Sequence, residues 1–153
     1  MIQNKTIALI AHDRRKADMV EWVKFNHKAL LSNELICTGT TGNLIEKTLK
    51  DIWQVNTDKE DFFVEKKLSG PLGGDAEIAA MVVNGQIDFC VFLIDDLNPN
   101  PHEADIQMLL RQCRIHNVPV ACNRSTADFI ISSDLWDGNY KATKPIYKEY
   151  DRG

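Results

Sequence analysis

Side chains that can bind an anion or move a proton follow five apolar runs of this sequence. In chain order, these polar groups are His12-Asp13, Thr38 to Gly42, Ser69-Gly70, Asp95-Asp96 and Asn123. If the runs are parallel strands, all of these groups lie at the carboxyl edge of one sheet, which is where open α/β sheets bind ligands. The placement therefore predicts one pocket built from several loops, and folding alone does not readily explain it.

The run TGTTG, residues 38–42, has the composition of a phosphate-binding loop. Glycine lets the backbone approach an anion, threonine hydroxyls donate hydrogen bonds, and a following helix offers free N–H groups and the positive end of its dipole. A strand-to-helix turn also favours threonine and glycine for capping, so the motif alone leaves both interpretations open. Lys16 follows His12 by about one helical turn, so it could reach the same pocket, the alternative being a solvated surface lysine.

The run SGPLGGD, residues 69–75, is more specific. Ser69 and Gly70 can add donors to an anion, and the glycine pair at 73–74 permits a tight, exposed turn. Asp75 then falls at a predicted helix start. It is either an N-cap, which is common for aspartate, or a general base presented to the pocket, and the residues alone leave both open.

The run DDLNPNPH, residues 95–102, ends in a histidine within a proline-bounded loop. Asp105 follows His102 by three residues, which places both on one face if a helix has begun. An imidazole held by a carboxylate suits electrophilic or acid–base chemistry. A metal site from His12, Asp13, His102 and Asp105 is a weaker alternative because no HxxxH-like spacing supports it. No GxSxG elbow, GxGxxG fingerprint or Walker lysine motif occurs.

Strands and helices alternate along the chain, which predicts βαβ units, a parallel sheet and helices on both faces. We expect one α/β domain over residues 1–153. The predicted strands are Thr6–Ala11, 35–37, a segment within 62–68, 87–94 and 118–122. The predicted helices are 13–31, a short one from Asn43, 75–84 with Gly85 as a left-handed stop, 103–116, and one starting near Ser125 and capped by its hydroxyl. The charged stretch 51–67 is interpreted as a surface excursion before the third strand.

Composition narrows the class of protein. The formal charge of −4 argues against a nucleic-acid partner, and no apolar run approaches the length of a membrane span. The four cysteines lack CxxC spacing, so we expect reduced core thiols in a cytoplasmic protein. His27 continues the apolar stripe of its helix and is expected at the edge of the core.

The motifs resemble those of the methylglyoxal synthases. AHD followed by Lys16, then TGTTGN, SGPLGGD, NPNPH and STADFI occur here in that family's order, covering about residues 5–133. Related domains in carbamoyl-phosphate synthetase and in an inosinate cyclohydrolase share the fold. The resemblance implies a Rossmann-like three-layer domain and a homohexamer. It also implies a lyase that eliminates phosphate from dihydroxyacetone phosphate to give methylglyoxal, without metal or organic cofactor.

The resemblance also assigns site residues. The family's proton-transferring aspartate matches Asp75, and its active-site histidines match His12 and His102. Its phosphate binders match Lys16, Thr38, Gly39, Thr40, Thr41, Ser69 and Gly70. Further active-site carboxylates match Asp13, Asp95 and Asp105. If these groups bind the substrate's phosphate, inorganic phosphate should inhibit.

Two departures limit the resemblance. The segment between TGTTGN and SGPLGGD is longer than the family leads us to expect. The family also uses a C-terminal arginine at the phosphate, but Arg152 does not align cleanly with it, so we do not assign phosphate binding to Arg152. Two other functions stay open: a non-catalytic module that senses a phosphorylated effector, and an isomerase that retains the phosphate. The effector module would need the TGTTG loop but not Asp75 or His102, so their joint presence favours an enzyme.

Overall fold

The computed structural model describes residues 4–54, 63–98 and 100–147. The strands are β1 Thr6–Ala11, β2 Glu34–Thr38, β3 Phe63–Lys67, β4 Phe89–Leu93 and β5 Val120–Ala121. The helices are α1 Lys16–Phe25, α2 His27–Leu30, α3 Gly39–Gln54, α4 Gly74–Val83, α5 Glu103–Ile115 and α6 Arg124–Ile131. Short 3-10 turns span Asp13–Arg15 and Gly70–Leu72.

All paired strands are parallel, and the sheet order is β3-β2-β1-β4-β5. The central strand, β1, pairs with β2 on one side and with β4 on the other. The order therefore reverses at the β1–β4 boundary, which leaves a crevice at the carboxyl ends of these two strands. His12 directly follows β1 at this boundary.

Two apolar layers cover the sheet, as the alternation of strands and helices predicts. Ile7 and Leu9 of β1 pack with α1, α3 and α6 on one face, whereas Ala8 and Ile10 pack with α4 and α5 on the other. Every residue of β4 is buried, in agreement with a strand covered on both faces. The predicted α/β fold class is thus confirmed.

The predicted helix over residues 13–31 is wrong in its continuity. The chain makes a 3-10 turn, then α1, then a break at Asn26 before α2. The backbone N–H and the side-chain Nδ2 of Asn26 both donate to the Trp22 carbonyl, at 3.0 and 2.9 Å, so Asn26 closes the end of α1. His27 begins α2 and is half-buried, at the edge of the core as expected.

Other boundaries also differ. α3 starts at Gly39 rather than Asn43 and runs to Gln54, so the charged stretch 51–67 begins inside a helix. Residues 55–62 of that stretch lie outside the described residues. α6 is capped by Asn123, whose side chain accepts from the Thr126 N–H, and not by Ser125. Gly85 adopts φ +71°, which confirms the left-handed stop after α4. Within the described residues, no helix is long and apolar enough to cross a membrane.

Candidate active site

His12 stands at the switch point of the sheet and is held in one orientation. Its backbone N–H donates to the Leu93 carbonyl at 3.1 Å, and its Nδ1 accepts the backbone N–H of Asp95 at 2.8 Å. Because Nδ1 is an acceptor, the neutral ring carries its proton on Nε2. Burial, and then the proximity of His102, lower the pKa of His12, so the neutral ring is favoured. Nε2 is buried and has no hydrogen-bond partner among the described residues.

The TGTTG segment forms the end of β2 and the first turn of α3. Thr38 and Thr41 are buried, and a Cβ built on Gly39 would lie 3.1 Å from the backbone of Ser69. The glycine thus lets the start of α3 pack against the next loop. The Gly39 N–H donates to the Leu68 carbonyl at 3.3 Å, whereas the next N–H groups of the first turn have no acceptor within the helix and can bind an anion. The segment is therefore a helix start whose geometry suits an anion, and we call it the candidate anion cradle.

Lys16 reaches the anion cradle, as its spacing from His12 suggests. Its ammonium donates to the Thr40 hydroxyl, which lies at the start of α3, and to Asp13 Oδ1 at 2.6 Å. Asp13 is 94% exposed, and the hydrogen bond from Lys16 lowers its pKa. Asp13 is therefore an ionised group at the rim, beside the cradle's lysine.

The SGPLGGD loop brings Ser69 and Gly70 to the same edge. The loop is fastened because Gly74 N–H donates to the Ser69 carbonyl at 3.0 Å, and Gly73 adopts φ +110°. A Cβ on Gly74 would lie 1.9 Å from the Leu68 carbonyl oxygen, and one on Gly70 would lie 2.9 Å from His102 Nε2. Glycine at these positions is therefore what allows the loop to close against the histidine.

Asp75 is fully buried and faces His102. The N-cap interpretation is wrong: Gly73 occupies the cap position, and Asp75 is the second residue of α4. Its Oδ2 lies 3.4 Å from His102 Nε2, and neither carboxylate oxygen has a hydrogen-bond partner among the described residues. Burial raises the pKa of Asp75 to about 6, with a smaller opposing effect from His102 and a raising effect from Asp105. Such a carboxylate is a stronger base than an exposed aspartate.

His102 completes the group. It precedes α5, and its ring centroid lies 5.6 Å from that of His12 in an edge-to-face arrangement. The prediction that Asp105 holds the His102 imidazole is wrong. The carboxylate at ion-pair distance from this imidazole is that of Asp75. Asp105, in the first turn of α5, acts on Asp75 through its charge.

Asp95 is buried and ties down its own loop. Its Oδ1 accepts the Leu97 N–H at 3.2 Å, and its Oδ2 accepts from Asn98 Nδ2 at 2.6 Å. The hydrogen bond from Asn98 lowers the pKa of Asp95. Together with the bond from its N–H to His12, these contacts make Asp95 the residue that orients the histidine.

Two supporting residues escaped the sequence reasoning. Glu77 Oε1 accepts the Leu68 N–H at 3.0 Å and fastens the end of β3 to α4. Asn98 holds Asp95, as described above. The signal for Asn98 was its position in the polar loop after β4, whereas Glu77 looked like an ordinary first-turn acid. Arg152 lies outside the described residues.

Among the described residues, no group of three or more histidine, cysteine or acidic side chains could hold a metal ion.

These features define a class: parallel α/β proteins with a threonine- and glycine-rich helix start and a buried carboxylate–imidazole pair at the switch point of the sheet. Residues 18–122 match the family model described as the MGS-like domain. The chain belongs to this methylglyoxal synthase-like family, and the resemblance found in the motifs is confirmed.

Named relatives agree with this membership. The chain is 55% identical over 147 residues to a methylglyoxal synthase of Treponema socranskii, covering 95% of this chain and 89% of that protein. It is 44% identical over 146 residues to a methylglyoxal synthase of Coxiella burnetii, covering 95% and 94%. It is also similar to the crystal structure of methylglyoxal synthase from Elizabethkingia anophelis, with TM-score 0.80, 40% identity and coverage of 96% and 90%.

Proposed function

We propose that this chain is a carbon–oxygen lyase that converts dihydroxyacetone phosphate to methylglyoxal and inorganic phosphate. The observation that carries the proposal is the buried Asp75 carboxylate, which has no hydrogen-bond partner among the described residues and lies beside His102. Folding gains nothing from burying such a group, because a buried carboxylate without partners costs stability. An acid–base reaction at this position explains why it is there.

The reaction begins with removal of a proton from the hydroxymethyl carbon next to the ketone. The basicity of Asp75, raised by its burial, suits this step. The electrons move onto the ketone oxygen and form an enediolate, which needs hydrogen-bond donors. The Nε2–H of neutral His12 and the ring of His102 are the donors that the geometry favours for this oxygen. A neutral imidazole donor is effective here because its own proton is not transferred prematurely.

Phosphate then leaves from the carbon on the other side of the former ketone. The hydroxyl group on the deprotonated carbon then loses its proton and becomes the aldehyde carbonyl, the carbon–carbon double bond shifts towards the carbon that bears phosphate, and the carbon–oxygen bond to phosphate breaks. The enolate of methylglyoxal that remains takes a proton on its terminal carbon to give the product. The leaving phosphate is held by Lys16, by the hydroxyl and N–H groups at the start of α3, and by Ser69-Gly70. Cationic and N–H donors at this position stabilise the charge that develops on the leaving group.

One assay tests the proposal: pure protein is incubated with dihydroxyacetone phosphate, and free phosphate and methylglyoxal are measured together. We expect both products in equal amounts. Equal amounts separate this activity from an isomerase, which would consume substrate without releasing phosphate. An effector-sensing module would bind the substrate and release neither product, and that result would overturn the proposal.

We further propose that the chain assembles as a homohexamer, works in the cytoplasm and is inhibited by inorganic phosphate. Leu72 and Leu97 are 73% and 88% exposed beside the site, and apolar side chains at such exposure suit burial against another subunit. Free cysteines suit a reducing compartment. Light scattering after gel filtration tests the assembly, and a mass other than six chains would exclude the hexamer.

A further inference from the structure

A second cavity lies at the end of the sheet opposite to the candidate active site. Its volume is about 690 Å³, within the range of sites that bind small molecules. Lys5, Asp88 and Pro119 contribute to it from just before β1, β4 and β5, and residues 133–145 contribute the outer wall. Since β4 runs from this end to the active-site edge, the two sites are roughly 15–20 Å apart.

The floor of the cavity is apolar. Ile87 and Phe89 are buried in the core, and Val118 packs against it. Trp136 is also buried and meets Phe89 edge to face, with ring centroids 5.6 Å apart. Ile87, Val118 and Trp136 line the cavity, so its floor presents apolar atoms to the body of a ligand.

The outer wall is fastened to the domain. Asn117 Nδ2 donates to the Thr143 carbonyl at 2.9 Å, and the Tyr147 hydroxyl donates to the Ile115 carbonyl at 2.8 Å. At the inner end, the Lys5 ammonium donates to the Trp136 carbonyl. These bonds tie the segment after α6 to the loop after α5 and to the start of β1, so the cavity has a built wall.

The charge around the cavity is positive. Lys5, Lys141 and Lys144 line it, and Lys141 and Lys144 form no ion pair with any residue that the structure describes. Asp88, the acidic group among the described lining residues, already accepts the Thr6 N–H at 2.8 Å. A ligand with an acidic group would therefore meet two ammonium groups that have no ion-pair partner among the described residues.

We propose that this cavity is a binding site for an amphipathic organic anion. The apolar body of the ligand lies on Ile87, Val118 and Trp136, and its carboxylate, sulfonate or phosphate group is held by Lys141 and Lys144. This function goes beyond the proposed lyase activity and does not depend on it, because the cavity shares no residue with the anion cradle.

Fluorescence titration with anilinonaphthalene sulfonate tests the proposal, since this probe combines an aromatic body with one sulfonate. We expect saturable binding of one probe per chain, unaffected by saturating inorganic phosphate at constant ionic strength. Phenylnaphthylamine, which has the same rings without the sulfonate, should bind about tenfold more weakly or worse.

Variants locate the site. Lys141→Glu/Lys144→Glu should weaken probe binding about tenfold or more, while the matched exposed pair Lys28→Glu/Lys47→Glu should leave it unchanged. Val83 lines the cavity and is 46% exposed, so Val83→Trp should fill space there without disturbing the core and should also weaken binding. The proposal is overturned if no saturable site exists, as when a neighbouring subunit fills the cavity. The proposal is also overturned if phosphate displaces the probe or if the neutral probe binds with equal affinity. It is likewise overturned if both lysine double variants lose the same amount of probe affinity.

Discussion

At the residue scale, the site depends on what burial does to one carboxylate. Burial raises the pKa of Asp75 to about 6, and the charge of Asp105 adds to this effect. Because the ionised form is the base, kcat/KM should fall as the pH drops through about 6. Asp105→Asn removes a raising charge and should move this limb of the profile to lower pH. Asp96→Asn, at an exposed carboxyl of the same sheet edge, is the control; a limb that does not move in Asp105→Asn would contradict the assignment.

The same carboxylate should reduce stability. The folded-state pKa is raised from 3.8 to about 6, so between these values the native state holds a proton that the unfolded state releases. The free energy of unfolding therefore decreases as the pH rises through this window. Asp75→Asn removes the cost of the buried charge and should stabilise the protein by on the order of 1–3 kcal/mol above the window.

Urea unfolding at about pH 8 and about pH 4 checks this prediction, because the gain from Asp75→Asn should largely vanish at the lower pH. Asp96→Asn again controls for the loss of one carboxylate. A gain that is equal at both pH values, or a loss of stability at the higher pH, would show that Asp75 is not a buried charge.

At the element scale, the SGPLGGD loop depends on a glycine where the chain passes close to itself. A Cβ on Gly74 would lie 1.9 Å from the Leu68 carbonyl oxygen, so Gly74→Ala must push the loop away from α4. We expect a loss of about 1–3 kcal/mol in the free energy of unfolding, together with weaker phosphate binding because Ser69-Gly70 moves. Gly138→Ala, where the nearest atoms lie at 3.7 Å or beyond, is the control and should change phosphate binding little. If Gly74→Ala binds phosphate with full affinity, the loop does not contribute to phosphate binding at the cradle.

The sequence predicted most of this arrangement because each element has a local signal. The apolar runs predicted the strands. Gly85 predicted the end of α4, because the backbone there is left-handed and favours glycine. The start of α3 was misplaced because threonine and glycine suit a loop as well as a first helical turn. The pairing of Asp75 with His102 was not predictable, since it depends on how α4 and α5 pack across one face of the sheet.

At the scale of the whole molecule, binding at the cradle should be visible as stability. A ligand that binds the folded state raises the melting temperature by mass action, so inorganic phosphate should stabilise the unmodified protein. Lys16→Ala should reduce this shift because it removes the ammonium beside Thr40. Lys24→Ala, farther along α1, is the matched control. A melting temperature that does not depend on phosphate in the unmodified protein would count against the cradle.

The central claim is that Asp75 removes a carbon-bound proton from the substrate. The most direct measurement follows dihydroxyacetone phosphate in deuterium oxide by NMR, recording loss of the substrate's carbon-bound proton and release of phosphate together. We predict that both are rapid in the unmodified protein and that Asp75→Asn lowers both by about 10²–10⁴-fold while substrate binding persists. If Asp75→Asn folds, binds substrate and still loses that proton at the unmodified rate, Asp75 is not the base, and Asp13, Asp95 and Asp105 become the candidates.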